Sequence, residues 1–456
     1  MPARLIESLA TTGPLAEVFA DESLLQRMLD FEVALARAEA RVGIVPQATA
    51  EAIKKAARVE SFDVASLVRD TLRAGTPGIP LVKALTERVR AIDSAAAQFV
   101  HWGATSQDVA DTALILLLKV AQNILAADVA RLEGALLRLS EQHPQTVMLG
   151  RTLLQPAPPV TLGLKAAGWL GAIRRSRKRL DAAFAEALVL QFGGASGTLA
   201  ALGEQGLAVG QTVASELGLG FPDAPWHTHR DRLASLVTAC GVLTGCLGKL
   251  ARDVTLLMQA EVGEVAEPAS EGRSGSSTMP NKRNPIACSI TLAAAHRVPG
   301  LVASFLTAMV QEHERAAGGW QAEWPIVAAV IQTTGVAAAS MAEATEGLEV
   351  CGARMRANID STRGTIFAER AMILLGKSLG RDVAHKLLQE ATRQSISKGR
   401  KLSEVLANMP EVTRILDAAT LDNLETPEAY LGLAETLRTR LLSSGKQSGF
   451  KNEKDH

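Results

Sequence analysis

Two runs, about Asp111 to Gln142 and about Arg232 to Val262, are long, apolar and free of proline. As helices rising ~1.5 Å per residue, each would span roughly 45 Å. Helices of that length need partners of similar length, so the chain is expected to build a bundle. Gly241, Gly245 and Gly248 on the second run cost helix stability and point to close helix contact. Thr161 to Leu190 is a third long candidate. Ile286 to Val350 supplies more, with breaks expected near Pro299 and at Gly318-Gly319. Leu24, Met28, Phe31, Leu35, Ala38 and Val42 recur at spacings of four and three, one face of a helix that Gly43 and Pro46 stop. Arg73 to Leu81 carries two glycines and two prolines and reads as a loop; helical spacing resumes from Val82 to Phe99. Shorter helices follow after Ala353: Ala368 to Leu379, Arg381 to Lys398, Leu402 to Ala407 and Pro427 to Leu442. No alternating strand pattern of useful length is present. The reading is an all-α chain in three parts, 1–110, 111–353 (the central bundle) and 354–442, with a disordered polar tail at 443–456.

Aromatic residues are only 4% of the chain, so Leu, Ala and Val must fill the core, which suits packed helices. Lys plus Arg and Asp plus Glu are equal at 48 each, so no global field draws in nucleic acid or an anionic membrane. The most membrane-like stretch, Thr112 to Ala127, is interrupted by Lys119 and Gln122 and reads as a core helix. Cys240, Cys246, Cys288 and Cys351 form no CxxC pair and sit in apolar stretches, so each reads as a buried free thiol. Glu7 interrupts the start, which does not read as a signal peptide. A cytoplasmic protein is expected, with no nucleic-acid or membrane partner.

The chemistry concentrates after Pro268. Glu271 to Thr278 is too polar and glycine-rich to pack, and a mobile segment is expected there. Asn284-Pro285 then opens an apolar helix, with Asn favoured as N-cap and Pro at the first helical position. The free N–H groups there, beside Lys282 and Arg283, would form an anion site. Gly, Ser and Lys alone would suit a solvated linker equally well. The order of residues decides between the two.

Gly275-Ser276-Ser277-Thr278-Met279-Pro280-Asn281-Lys282-Arg283-Asn284-Pro285 resembles the GSSxMPxKxNP loop of the fumarase/aspartase superfamily. His101 to Asp108 resembles that family's first signature region, Gly150 to Gln155 its second, and Gly193 to Thr198 a further segment. The resemblance spans roughly residues 20 to 440. It implies a three-part α-helical subunit, a homotetramer with a central helix bundle, and active sites built from three subunits. It also implies that Ser277 handles the proton next to a carboxylate. Carboxylate binding would fall to Thr105, Ser106, Arg151, Thr152, Gln155, Ser276, Lys282 and Asn284. Thr105 and Asp108 also stand at capping-box spacing before the long helix.

One departure narrows the activity. The second region typically reads GRTH, but here the histidine position is Leu153, which has no proton to give. That is tolerable where the leaving group is a carboxylate, whose conjugate acid has a pKa near ~4. With the segment His313 to Trp324, the full pattern resembles the superfamily's 3-carboxy-cis,cis-muconate cycloisomerases. This implies closure of a tricarboxylate to 4-carboxymuconolactone in protocatechuate breakdown. The rival readings are a fumarate-releasing lyase similar to adenylosuccinate lyase and an inactive scaffold of the same fold. No cofactor or metal is expected, since His227 and His229, two apart, do not share a helix face. His229, Arg230 and Arg232 could add positive charge to the substrate site, and His101 and Ser196 are further candidates. His313, Glu314 and Arg315 read as an interhelical polar network, Trp320 and Trp324 as packing.

Overall fold

The computed structural model describes residues 5–269 and 282–443. The proline-free runs are the helices Ser106–Gln142 and Asp231–Leu257, accompanied by Leu162–Ala187, Ile286–Ala308 and Gly319–Glu346. Pro299 does not break its helix, contrary to the expectation from sequence. Buried Val298 and Phe305 on either side anchor that helix, and such packing outweighs the ~3 kcal/mol a proline costs. The break at Gly318 is real, with φ +109.

By internal contacts the chain groups into two compact units. The first comprises Met1–Ala130, Arg175–Gly248 and Ser289–Ser340, the second Arg131–Arg174, Lys249–Cys288 and Met341–His456. This partition follows contacts, not chain order, and differs in kind from the three segments read from sequence.

In the first unit, the helix Asp21–Arg41 buries Met28, Phe31, Leu35 and Ala38 as its periodicity requires. It packs on Gln47–Ala56 and Gly206–Leu217. The expected loop at Arg73 to Leu81 is shorter: Val64–Ala74 and Gly78–Ile92 are helices with only three residues between them. Pro80 fits because it falls in a first turn, where an N–H has no partner to lose. The glycine prediction holds at two of three positions. A Cβ on Gly248 would stand 2.6 Å from the Ala295 Cβ, and one on Gly241 3.3 Å from Val302, whereas Gly245 has nothing within 4 Å.

The second unit holds a feature the periodicity missed, an antiparallel hairpin of Val147–Thr152 and Gln155–Thr161. Thr152 pairs with Gln155, so Leu153-Leu154 is the whole turn. Both leucines are left-handed, with φ +50 and +64, the conformation a tight hairpin demands and for which Asn-Gly is the usual signal. The second strand contains Pro156, Pro158 and Pro159, a composition that argues against a strand. Gly150 is obligatory at the bulge, since a Cβ there would lie 2.2 Å from the Pro158 carbonyl oxygen. Shorter helices form a separate core around Phe367, Leu375, Leu388, Leu402 and Val405. All four cysteines are free, but only Cys240 and Cys288 are buried; Cys246 is half-buried and Cys351 exposed, correcting the uniform reading.

Among the described residues four helices are long and apolar enough to cross a membrane: Ser106–Gln142, Asp231–Leu257, Ile286–Ala308 and Gly319–Glu346. Three bury half or more of their most apolar stretch inside the chain, but Ile286–Ala308 buries only 28%.

Candidate active site

The helix Ser106–Gln142 begins inside the segment His101 to Asp108, and its first turn carries Asp108. This carboxylate is fully buried and gathers four donors. They are the backbone N–H groups of Thr105 at 3.1 Å, Gly193 at 3.0 Å and Gly194 at 2.9 Å, with His227 Nε2 at 2.7 Å. The Thr105 contact is the reciprocal half of the capping box read from spacing. Gly193 must lack a side chain, because a Cβ would meet Pro225 at 2.7 Å and His227 at 2.8 Å. One buried charge thus pins together the segments around Thr105, Gly194 and His227. His227 is thereby occupied.

Arg315 Nη1 donates to Thr105 Oγ1 at 2.9 Å, and Nη2 to the Ala195 carbonyl at 2.9 Å. With its oxygen accepting from Arg315, the Thr105 hydroxyl has its own proton to offer an incoming carboxylate. The sequence read Arg315 as part of an interhelical polar network; the structure shows that its partners there are the signature threonine and the Ala195 carbonyl. Its position within the His313 to Trp324 segment was the available signal. Ser106 is half-buried beside Thr105, and Gly78 abuts it closely, a Cβ there falling 2.8 Å from the Ser106 Cβ and 2.9 Å from its Cα. Gly78→Ala is expected to displace this helix start at a cost of about 1–3 kcal/mol. A thermal melt checks this: an unchanged melting temperature would mean that the neighbours yield freely.

Ser196 is exposed on the turn after Gly194, His229 is exposed, and Arg232 is half-buried. Arg230 is corrected. It is fully buried, held by Asp111 at 2.7 Å and Glu323 at 2.8 Å, so its charge is spent inside the core. Trp320 packs edge-on against Trp324 and also donates to Asp111 at 2.9 Å.

In the second unit, Arg151 leaves the hairpin to pair with both oxygens of buried Glu264, at 3.0 and 2.7 Å. This bidentate pair anchors the hairpin and leaves Arg151 little free charge for a substrate. Thr152 and Gln155 are exposed beside the turn, and Leu153 at its tip is 96% exposed. Arg151 also lines a cavity of about 360 Å3 with Lys165, Lys249 and Asp253. Lys165 was not singled out from sequence; burial lowers its pKa, with Asp253 acting in the opposite direction.

The anion site expected at the helix start after Asn284 is partly filled from within. Glu267 accepts from the N–H groups of Ala287 at 3.0 Å and Cys288 at 2.8 Å, stabilising the helix dipole with the chain's own carboxylate. Arg283 pairs with both oxygens of Glu349 at 2.7 Å. Lys282 is exposed and Asn284 half-buried. Ser276 and Ser277 lie outside the described residues.

Two family models match the chain, one described as Lyase over residues 8–300 and one as Adenylosuccinate lyase C-terminus over residues 364–441. The 3-carboxy-cis,cis-muconate cycloisomerase of Bradyrhizobium diazoefficiens is 47% identical over 424 residues, covering 93% of this chain and 94% of that protein. The enzyme of the same name from Pseudomonas aeruginosa is 47% identical over 447 residues, covering 98% and 97%. The crystal structure of 3-carboxy-cis,cis-muconate lactonizing enzyme from Pseudomonas putida superposes with a TM-score of 0.92 at 43% identity, covering 98% of this chain and 99% of that one.

Proposed function

Because the chain belongs to the fumarase/aspartase superfamily of lyases, we propose that it is a cycloisomerase that closes 3-carboxy-cis,cis-muconate to 4-carboxymuconolactone. Leu153 carries this reading. It occupies the position where the superfamily's second signature region typically has a histidine, and it offers no proton to a departing amine or hydroxide. A carboxylate leaves, or adds, without one. The names and identities of the relatives above support the same substrate.

In the proposed reaction one carboxylate oxygen of the substrate attacks its own alkene. A C–O bond forms as the π electrons move to the neighbouring carbon, whose carboxylate takes on aci-carboxylate character. The Thr105 hydroxyl and Ser106 from one subunit, with Asn284 and the Lys282 ammonium from another, hold the carboxylates and stabilise the developing charge. Ser277 delivers a proton to that carbon and recovers one from solvent, so one proton is taken up per turnover. Arg151 acts in this scheme through the hairpin it anchors, with Thr152 and Gln155 as the groups presented beside the tip.

The protein is proposed to work as a soluble, cytoplasmic homotetramer. The mostly uncovered apolar helix Ile286–Ala308 supports this, since copies of the same helix would cover it.

The test is to mix purified protein with 3-carboxy-cis,cis-muconate and follow its ultraviolet absorbance. The expected result is a fall in absorbance with lactone as product. Release of fumarate from a succinyl substrate, with no lactone formed, would instead establish a fumarate-releasing lyase. Leu153→His is expected to leave lactone formation no faster, because no step awaits that proton; a large gain in rate would mean that a general acid had been missing.

A further inference from the structure

Glu32 and Glu39 lie about two turns apart on the helix Asp21–Arg41, and both are buried, 1% and 0% exposed. An ionised carboxylate so placed is costly unless it is paired. Glu39 has no hydrogen-bond partner on either oxygen. Burial, and next the charge of Glu32, push its pKa up to about 9, so at neutral pH it carries its own proton. Glu32 meets the same cost differently. Its Oε1 lies 2.6 Å from Nδ1 of His101, a residue 69 positions away that precedes the Thr105 cap.

His101 is held in the left-handed region at φ +62, and its side chain is 14% exposed. Its other ring nitrogen, Nε2, makes no hydrogen bond among the described residues and is not one of the buried orphan atoms. Two ionisable groups act on the ring: Glu32 from one helix and Asp108 from another. Burial pulls the imidazole pKa down, but Glu32, by charge and hydrogen bond, and then Asp108 outweigh it, so the net direction is up. Asp108 is already engaged by His227 and three N–H groups, which leaves Glu32 as the direct partner.

We infer that Glu32 is a positioning residue that holds His101 as an imidazolium with Nε2–H offered to a carboxylate of the bound substrate. The inference rests on the tricarboxylate reading above for its substrate, but not for the pair itself. An imidazolium beside a carboxylate makes a pair with no net charge, and His101 is its more exposed member, 14% against 1%. A carboxylate entering beside Thr105 would then meet a charge-assisted donor already oriented by its other nitrogen.

The experiment uses Glu32→Gln, Glu32→Asp, His101→Gln and the double variant E32Q/H101Q in the full chain. Deuterium exchange at the imidazole Cε1–H, read by mass spectrometry on the peptide carrying His101, reports the titration midpoint of that ring without any turnover. Glu32→Gln is expected to lower the midpoint by about one unit or more, and Glu32→Asp to keep most of it. In kinetics, Glu32→Gln moves the basic limb of kcat/KM to lower pH. Above that limb the loss is about tenfold per unit of displacement, and below it activity approaches wild type. The double variant should be no worse than His101→Gln alone. An unmoved midpoint in Glu32→Gln, or a loss equal at every pH that compounds with His101→Gln, would overturn the inference. Should wild type form no lactone, the substrate reading fails while the exchange midpoint still decides the pair.

Discussion

Lactone formation falls by about 10²–10⁴-fold when Ser277 is replaced by alanine, the range that one positioned proton donor supplies. The substitution removes a single oxygen, so the helices and their assembly have no reason to change. The melting temperature and the sedimentation profile should match wild type. In the proposed mechanism carboxylate binding falls to Thr105, Ser106, Lys282 and Asn284, so KM should move little while kcat collapses. That is the pattern of a contact made only in the transition state. Steady-state kinetics and a melt on the same preparation check both halves. Turnover within a few-fold of wild type would remove Ser277 from the mechanism. A collapse accompanied by early melting would instead point to a structural serine.

The helical frame was legible because period and proline placement speak directly to helix formation. Ala368–Leu379 and Arg381–Lys398 have the bounds read from sequence. The hairpin at Thr152–Gln155 was not legible. Its turn is Leu-Leu and its second strand is proline-rich, so every local rule pointed away from a strand, and pairing in the fold overrode them. The candidate-site segments resemble the family's signature regions in their order of residues, but the disposition of charge was not legible. Sequence cannot say that Arg230, Arg283 and Arg151 are neutralised by Asp111 and Glu323, Glu349, and Glu264 respectively, because those partners lie far along the chain. The partner of Arg315 was hidden for the same reason, Thr105 being 210 residues away. The sequence marked candidate cations; the fold decides which of them still have charge to give.

Asp108 is the sharpest case. From spacing it is a helix cap, yet in the structure its two oxygens also hold Gly193, Gly194 and His227, 85, 86 and 119 residues away. Asp108→Asn keeps the shape but replaces one acceptor oxygen with an NH2 group. Turned one way, that NH2 faces the backbone donors of Thr105 and Gly194; turned the other way it faces the Gly193 N–H, while the His227 ring can accept from it at Nε2 in its other tautomer. Each buried donor left unpaired costs about 1–3 kcal/mol, and losing the charge that meets His227 adds to this. The total is on the order of 2–4 kcal/mol, from one or two buried donors left without an acceptor. The melting temperature should fall well below wild type. The functional loss should differ in kind from that of Ser277→Ala. Thr105 and the Gly194 turn would no longer be pinned to the same point, and a displacement near 1 Å costs on the order of 10²-fold. That loss falls on carboxylate binding as well as on the chemical step, so KM rises while kcat drops. A D108N variant that melts with wild type and keeps its kcat/KM would show that the four contacts are redundant. One that melts early but keeps KM would confine Asp108 to stability and leave the placement of Thr105 to Arg315.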